Sequence, residues 1–121
     1  MAIAKLGVVV LDCPEPRTLA EFYGAVLDGR VTGDDGDWVD LEVPGARPLA
    51  FQKAPGFRAP AWPAAERDSQ QFHLDLTVED LDAAEKEVLA LGATVLDAED
   101  RSRTWRVYAD PAGHPFCLCA C

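Results

Sequence analysis

The sequence predicts an α+β fold: two βαβββ modules forming a curved, barrel-like mixed sheet around a cavity, with the helices on its outer face. Three observations predict it. A run from Val8 to Asp12, through Pro14-Glu15-Pro16 and on to Leu19–Leu27, is echoed by His73 to Val78, Asp80 and Leu81 to Leu91, 65 residues later from Val8 to His73. A duplication of this length sets the architecture and makes positions in the two halves comparable. Each half also closes with a turn and an apolar strand, Pro44-Gly45 before Leu49-Ala50-Phe51 and Pro111-Ala112-Gly113 before Phe116-Cys117-Leu118. Finally, Val39, Leu41 and Val43 alternate with Trp38, Asp40 and Glu42, the period of a strand with one buried face.

The elements follow in order. Lys5 to Asp12, dominated by Val8-Val9-Val10-Leu11, reads as a buried strand. Pro14 and Pro16 end it, and Pro16 suits the first turn of a helix whose apolar stripe is Leu19, Phe22, Tyr23, Val26 and Leu27, with Gly29 as its stop. Strands follow at Arg30 to Thr32, Asp37 to Val43 and Arg47 to Lys53, parted by Gly33-Asp34-Asp35-Gly36 and Pro44-Gly45. From Ala54 to Gln71, proline, alanine and charge dominate around Trp62, which marks a connector between modules. The second module repeats the order: a strand from Phe72 to Val78, a helix capped by Asp80 and stopped by Gly92, with stripe Leu81, Ala84, Val88 and Leu91. Its last strands lie near Thr94 to Leu96, Arg103 to Ala109 and Pro115 to Ala120. The chain thus reads as one domain over residues 1–121, with module one at about 3–54, the connector at about 55–71 and module two at about 72–121.

With 121 residues, 49% hydrophobic and 26% charged, the composition is that of one compact globular domain. A formal charge of −10 repels phosphate backbones and anionic lipid, so neither nucleic acid nor a membrane surface is an expected partner. Small organic molecules are. Met1-Ala2-Ile3-Ala4-Lys5-Leu6 lacks the features of a signal peptide, so a cytoplasmic location is expected. Of the four cysteines, Cys117, Cys119 and Cys121 alternate along one strand, which is no disulfide framework; reduced thiols about 7 Å apart are expected there.

Several segments together carry a resemblance to the vicinal-oxygen-chelate superfamily of glyoxalases, ring-cleaving dioxygenases, fosfomycin-modifying enzymes and bleomycin-binding proteins. They are Asp12-Cys13-Pro14-Glu15-Pro16 with Phe22-Tyr23, His73-Leu74-Asp75-Leu76 with Val78-Glu79-Asp80-Leu81, and Asp110-Pro111-Ala112-Gly113-His114-Pro115-Phe116-Cys117-Leu118. Nearly the whole chain is covered, and small glyoxalase-like domains are the nearest in appearance. The resemblance implies a homodimer. It also implies, for metal-dependent members, four inward ligands of His, Gln or Glu type, which carry over to Val8 and Ala50 in module one and His73 and Cys117 in module two. Two of these four have no donor, so no catalytic metal is expected; a divergent divalent-metal site using Gln52, His73 and Asp75 is the alternative.

Alternation extends the cavity face from those four positions to Val10, Gln52, Asp75 and Cys119, while Val9, Leu11, Leu49, Phe51, Leu74, Leu76, Phe116 and Leu118 pack beneath the helices. Trp38, Asp40, Thr104, Arg106 and Tyr108 are expected on the cavity face as well. The expected ligand-binding residues are therefore Val8, Trp38, Ala50, Gln52 and Trp62 together with His73, Asp75, Arg106, Tyr108 and Cys117, with His73 the candidate acid or base. Each has a plainer reading: His73 hydrogen-bonded to Asp75, Arg106 in an ion pair with Asp75 or Asp40, Trp62 capping the core, and His114 as a turn residue. The favoured function is small-molecule binding by a glyoxalase-like domain without the family's catalytic metal. The alternatives are a divalent-metal lyase or dioxygenase and a resistance-type binder of a cationic drug using Trp38 and Trp62.

Overall fold

The computed structural model describes residues 2–63 and 70–120. The expected two βαβββ modules are present as two four-stranded mixed sheets, one per module, rather than one closed sheet. The compact units divide the chain at 1–57 and 58–121.

In module one, β1 (Val9–Cys13), α1 (Pro16–Leu27), β2 (Arg30–Asp34), β3 (Trp38–Glu42) and β4 (Leu49–Lys53) form a sheet of order β1-β4-β3-β2. β1 runs parallel to β4 and the other pairs are antiparallel. Pro16 opens α1, where its missing N–H costs nothing. The stripe buries Leu19, Ala20, Phe22 and Tyr23 on one sheet face, where Tyr23 stacks on Phe51 with ring centroids 5.8 Å apart. Val39 lies opposite Phe51 and Leu41 opposite Leu49, which completes the apolar layer. α1 ends on Asp28, held left-handed at φ 56° with its N–H on the Gly24 carbonyl, one residue before the glycine expected to stop it. Gly29 answers a different need: a Cβ there would stand 2.7 Å from the Glu42 carbonyl oxygen. β2 runs through Gly33 to Asp34, so the turn is shorter than the sequence suggested. Asp34 accepts from the Gly36 N–H at 2.9 Å, and Asp35 accepts from the Asp37 and Trp38 N–H groups at 3.0 and 2.8 Å.

Module two contains β5 (Leu74–Thr77), α2 (Leu81–Ala90), β6 (Thr94–Asp97), β7 (Trp105–Ala109) and β8 (Pro115–Cys119), in the order β5-β8-β7-β6. Asp80 caps α2, accepting from the Ala83 N–H at 3.1 Å. α2 docks differently from α1. Of its expected stripe only Val88 is buried, while Leu91 is 43% exposed. Asp82 and Glu85 stand i and i+3 on the face that Val88 continues, and they meet polar partners on β7. Arg106 Nη2 donates to Asp82 at 2.9 Å and the Tyr108 hydroxyl donates to Glu85 at 2.7 Å. Arg101 adds a second cation to Glu85 at 3.3 Å.

This corrects the placement of Arg106 and Tyr108. Arg106 pairs with Leu118 and Tyr108 with Phe116, so these β7 side chains share the helix-facing side with two buried apolar residues, away from the face that was to line the cavity. The physical reason is that α2 presents carboxylates where α1 presents aromatic rings. A buried guanidinium needs those partners, and Arg106 is 4% exposed. At the β7–β8 turn, the buried Asp110 carboxylate accepts from the Ala112 and His114 N–H groups at 2.9 and 3.0 Å, which makes His114 a turn residue.

Candidate functional site

The chemistry of module two gathers on the sheet face that α2 leaves uncovered. Val107 pairs with Cys117 and Trp105 with Cys119, so these side chains point to one side. Val107, Cys117 and Cys119 form a buried apolar floor, and Trp62 packs against it. The parallel β5–β8 register brings Asp75 opposite Cys117. His73 immediately precedes β5 and lies two residues from Asp75, on the same side by strand alternation.

The resulting contacts are short. His73 Nε2 lies 3.1 Å from Asp75 Oδ1, with the histidine side chain 27% exposed and the aspartate 61%. The indole of Trp62 stacks on the imidazole, with centroids 4.9 Å apart and planes 19° from parallel. Donor atoms of His73, Asp75 and Cys117 all lie within 4.8 Å of one another. Burial, then the Asp75 carboxylate that accepts the thiol hydrogen, pushes Cys117 up to about 12. Arg103 stacks over Trp105 at 3.9 Å at the end of the same strand.

In module one, Trp38 pairs with Gln52 and Asp40 with Ala50, so the expected residues of that module do share the helix-free face. Trp38 and Gln52, with Asp37, Lys53 and Pro55, line a depression of about 370 Å³. Trp38 Nε1 donates to Asp40 at 2.8 Å. Ala50 is fully buried, and Val8 is 38% exposed just before β1.

Trp62, His73, Asp75 and Cys117 are thus brought together, as are Trp38, Ala50 and Gln52, whereas Arg106 and Tyr108 are not. Reading the sequence missed Val107 as part of the floor. The signal was present in α2, where Asp82 and Glu85 stand one turn apart and call for a cation and a hydroxyl on the facing strand.

The glyoxalase-like domain family model matches residues 8–119. The chain belongs to this family. The glyoxalase-like fold is shared by solved structures of low sequence identity. A glyoxalase/bleomycin resistance protein/dioxygenase family enzyme from Burkholderia phytofirmans PsJN has a TM-score of 0.74 at 19% identity, covering 95% of this chain and 97% of its own. The fosfomycin resistance protein FosX from Mesorhizobium loti has a TM-score of 0.74 at 15% identity, covering 99% and 94%. FosX from Listeria monocytogenes, complexed with Mn(II) and a dihydroxypropylphosphonic acid, has a TM-score of 0.73 at 14% identity, covering 98% and 91%. No curated protein matches the chain in sequence. The glyoxalase-like chain does not fit the four-ligand set of the metal-dependent relatives: neither Val8 nor Ala50, the two module-one positions, carries a donor atom.

Proposed function

We propose that this glyoxalase-like domain binds a small amphiphilic or aromatic organic molecule without the four-ligand metal centre of its metal-dependent relatives, and that it works as a homodimer. The observation that carries the reading is Trp62 stacked on a histidine that is itself tied to Asp75. An indole over an apolar floor, with one polar pair at its edge, orients a small ligand by a few directional contacts. Held against Asp75 through Nε2, His73 keeps its second ring nitrogen for a ligand lying along Trp62 and serves there as acid or base.

The test is a thermal-shift and tryptophan-quenching panel of fosfomycin, bleomycin, catechol and the glutathione hemithioacetal of methylglyoxal. At least one should raise the melting temperature, with binding weakened about tenfold or more, roughly 1.4 kcal/mol, in Trp62→Ala and Asp75→Asn. Binding indifferent to both substitutions, or no binding across the panel, refutes the reading. Light scattering at micromolar concentration tests the dimer, and a monomer counts against it. A second reading, a divalent-metal lyase or dioxygenase, is favoured by the approach of His73, Asp75 and Cys117. Its test is turnover on the same panel that disappears on chelation and returns with added metal.

A further inference from the structure

We infer that the outer edge of module two, where α2 ends and β6 begins, is a docking surface for a basic amphipathic helix of a partner protein. Leu89, Leu91, Val95 and Leu96 stand there between 38% and 48% exposed. Apolar residues scattered singly over a surface mean little, whereas large ones gathered at one edge mark a surface that a partner covers. The turn between α2 and β6 draws them together, held by the Ala93 N–H on the Val88 carbonyl at 3.0 Å. Val95 pairs with Tyr108, whose hydroxyl reaches Glu85 of α2, so Val95 stands on the helix side of the sheet.

The repeat makes this exposure informative. β2 and β6 are corresponding outer strands of the two sheets. On β2 the exposed positions are Arg30, Thr32 and Asp34; Arg30 pairs with Glu42 and Asp34 with Arg17, so charge guards that edge. On β6 the exposed positions are Thr94, Val95 and Leu96 in succession. α2 packs chiefly on β8, two strands away from β6, and leaves them uncovered. The register shift between Val95 and Asp97 bulges the strand at Leu96, which spoils the edge for pairing with another strand and leaves side chains as the contact.

Charge selects the occupant. Residues 79–100 carry eight carboxylates and one lysine, most of the excess negative charge of the chain. Asp82 and Glu85 are answered by Arg106 and Arg101, and Asp97 by Arg103. Glu87 and Glu99 are exposed, and among the described residues no cation answers either. Glu87 stands one turn before Leu91 on the same ridge of α2, and Glu99 follows β6 closely. A second copy of this chain would set like charge against like here, so the homodimer proposed above uses another face. A helix with apolar residues at i, i+3, i+4 and i+7, and lysine or arginine beside them, meets both the apolar residues and their acidic rim. Val95 and Tyr108 lie on the opposite side of the sheet from the floor beneath Trp62, so this surface is separate from the organic-ligand site.

The experiment is fluorescence anisotropy of a labelled leucine–lysine peptide of about 18 residues, built as an amphipathic helix and titrated with the whole protein. It should bind at micromolar protein and lose affinity with added salt. A scrambled peptide whose leucines no longer share a face should bind about tenfold or more weakly, and one with glutamate for lysine should not bind. Val95→Ser with Leu96→Ser should weaken binding about tenfold or more, and Glu87→Gln with Glu99→Gln should flatten the salt dependence. All four residues are exposed, so these variants keep the fold, which circular dichroism verifies. Amide shifts of the unsubstituted protein give a second readout and should move within residues 87–99. Equal binding of the scrambled peptide, amide shifts confined to other residues, or affinity untouched by the serine substitutions overturns the inference. So does a dimer that the serine substitutions turn into a monomer, because a second copy is then the occupant.

Discussion

At Cys117, burial and the neighbouring Asp75 carboxylate push the thiol up to about 12. Thiolate is the reacting species in alkylation, so at about pH 8 this cysteine should label about a thousandfold more slowly than a thiol of ordinary acidity. Peptide mass spectrometry after timed iodoacetamide exposure measures the rate. Asp75→Asn removes part of the cause and should speed labelling. Tyr108 is raised for a similar reason, burial first and then Glu85, which accepts the hydrogen bond from its hydroxyl. A group whose pKa is raised on folding stabilises the fold fully below its unfolded value, near 10 for tyrosine. That contribution is lost as pH climbs past this point toward the folded pKa. Tyrosinate absorbance should therefore show Tyr108 un-ionised where a free tyrosine has titrated, and alkaline unfolding should begin above about pH 10.

The two helices show how differently related sequences can solve one docking problem. α1 buries aromatic and aliphatic side chains, and Leu19, 1% exposed, should cost about 2–5 kcal/mol on truncation to alanine. Leu91, at the end of the α2 stripe, is 43% exposed, and Leu91→Ala should change stability by no more than about 0.5 kcal/mol. Arg106→Ala falls between them, at about 1–3 kcal/mol. It strips out a buried stem, yet its partner Asp82 is 83% exposed and Glu85 keeps Tyr108 and Arg101. Denaturant melts measure all three. Amide exchange in α2 should outpace that in α1, since less apolar surface holds it down.

These elements also mark what could be read from the chain. Apolar strands and helices at their proper periods were legible because a buried face imposes its own repeat. The pairing of His73 with Asp75 was legible too, since residues two apart on a strand share a side. Cys117 joined them only through the parallel register of β5 and β8, which no local pattern encodes. The side chosen by Arg106 was misread because polarity suggested a cavity, while the deciding partners lay a full element away on α2.

The whole molecule carries a charge of −10, and among the described residues the pairs Arg17–Glu21, Arg30–Glu42 and Arg101–Asp82 are exposed on both sides. Exposed pairs contribute little, whereas net self-repulsion opposes compaction at long range. Raising ionic strength from about 0.01 to 0.15 M shortens the screening length from about 30 to 8 Å. The melting temperature by calorimetry should therefore rise by a few degrees rather than fall. If surface pairs dominated, the sign would reverse.

β8 follows β5, β6 and β7 in sequence, yet it lies inside their sheet, between β5 and β7. A growing polypeptide thus displays His73 and Asp75 long before the strand that joins them exists. Until β8 is present, β5 has no strand of this sheet to pair with, and the strand that completes the pairing also brings Cys117. A nascent chain arrested before Pro115 holds two of the three donors. Assembly of this corner therefore waits on β8, and a chain broken off before it leaves an open strand edge rather than a slightly weaker site.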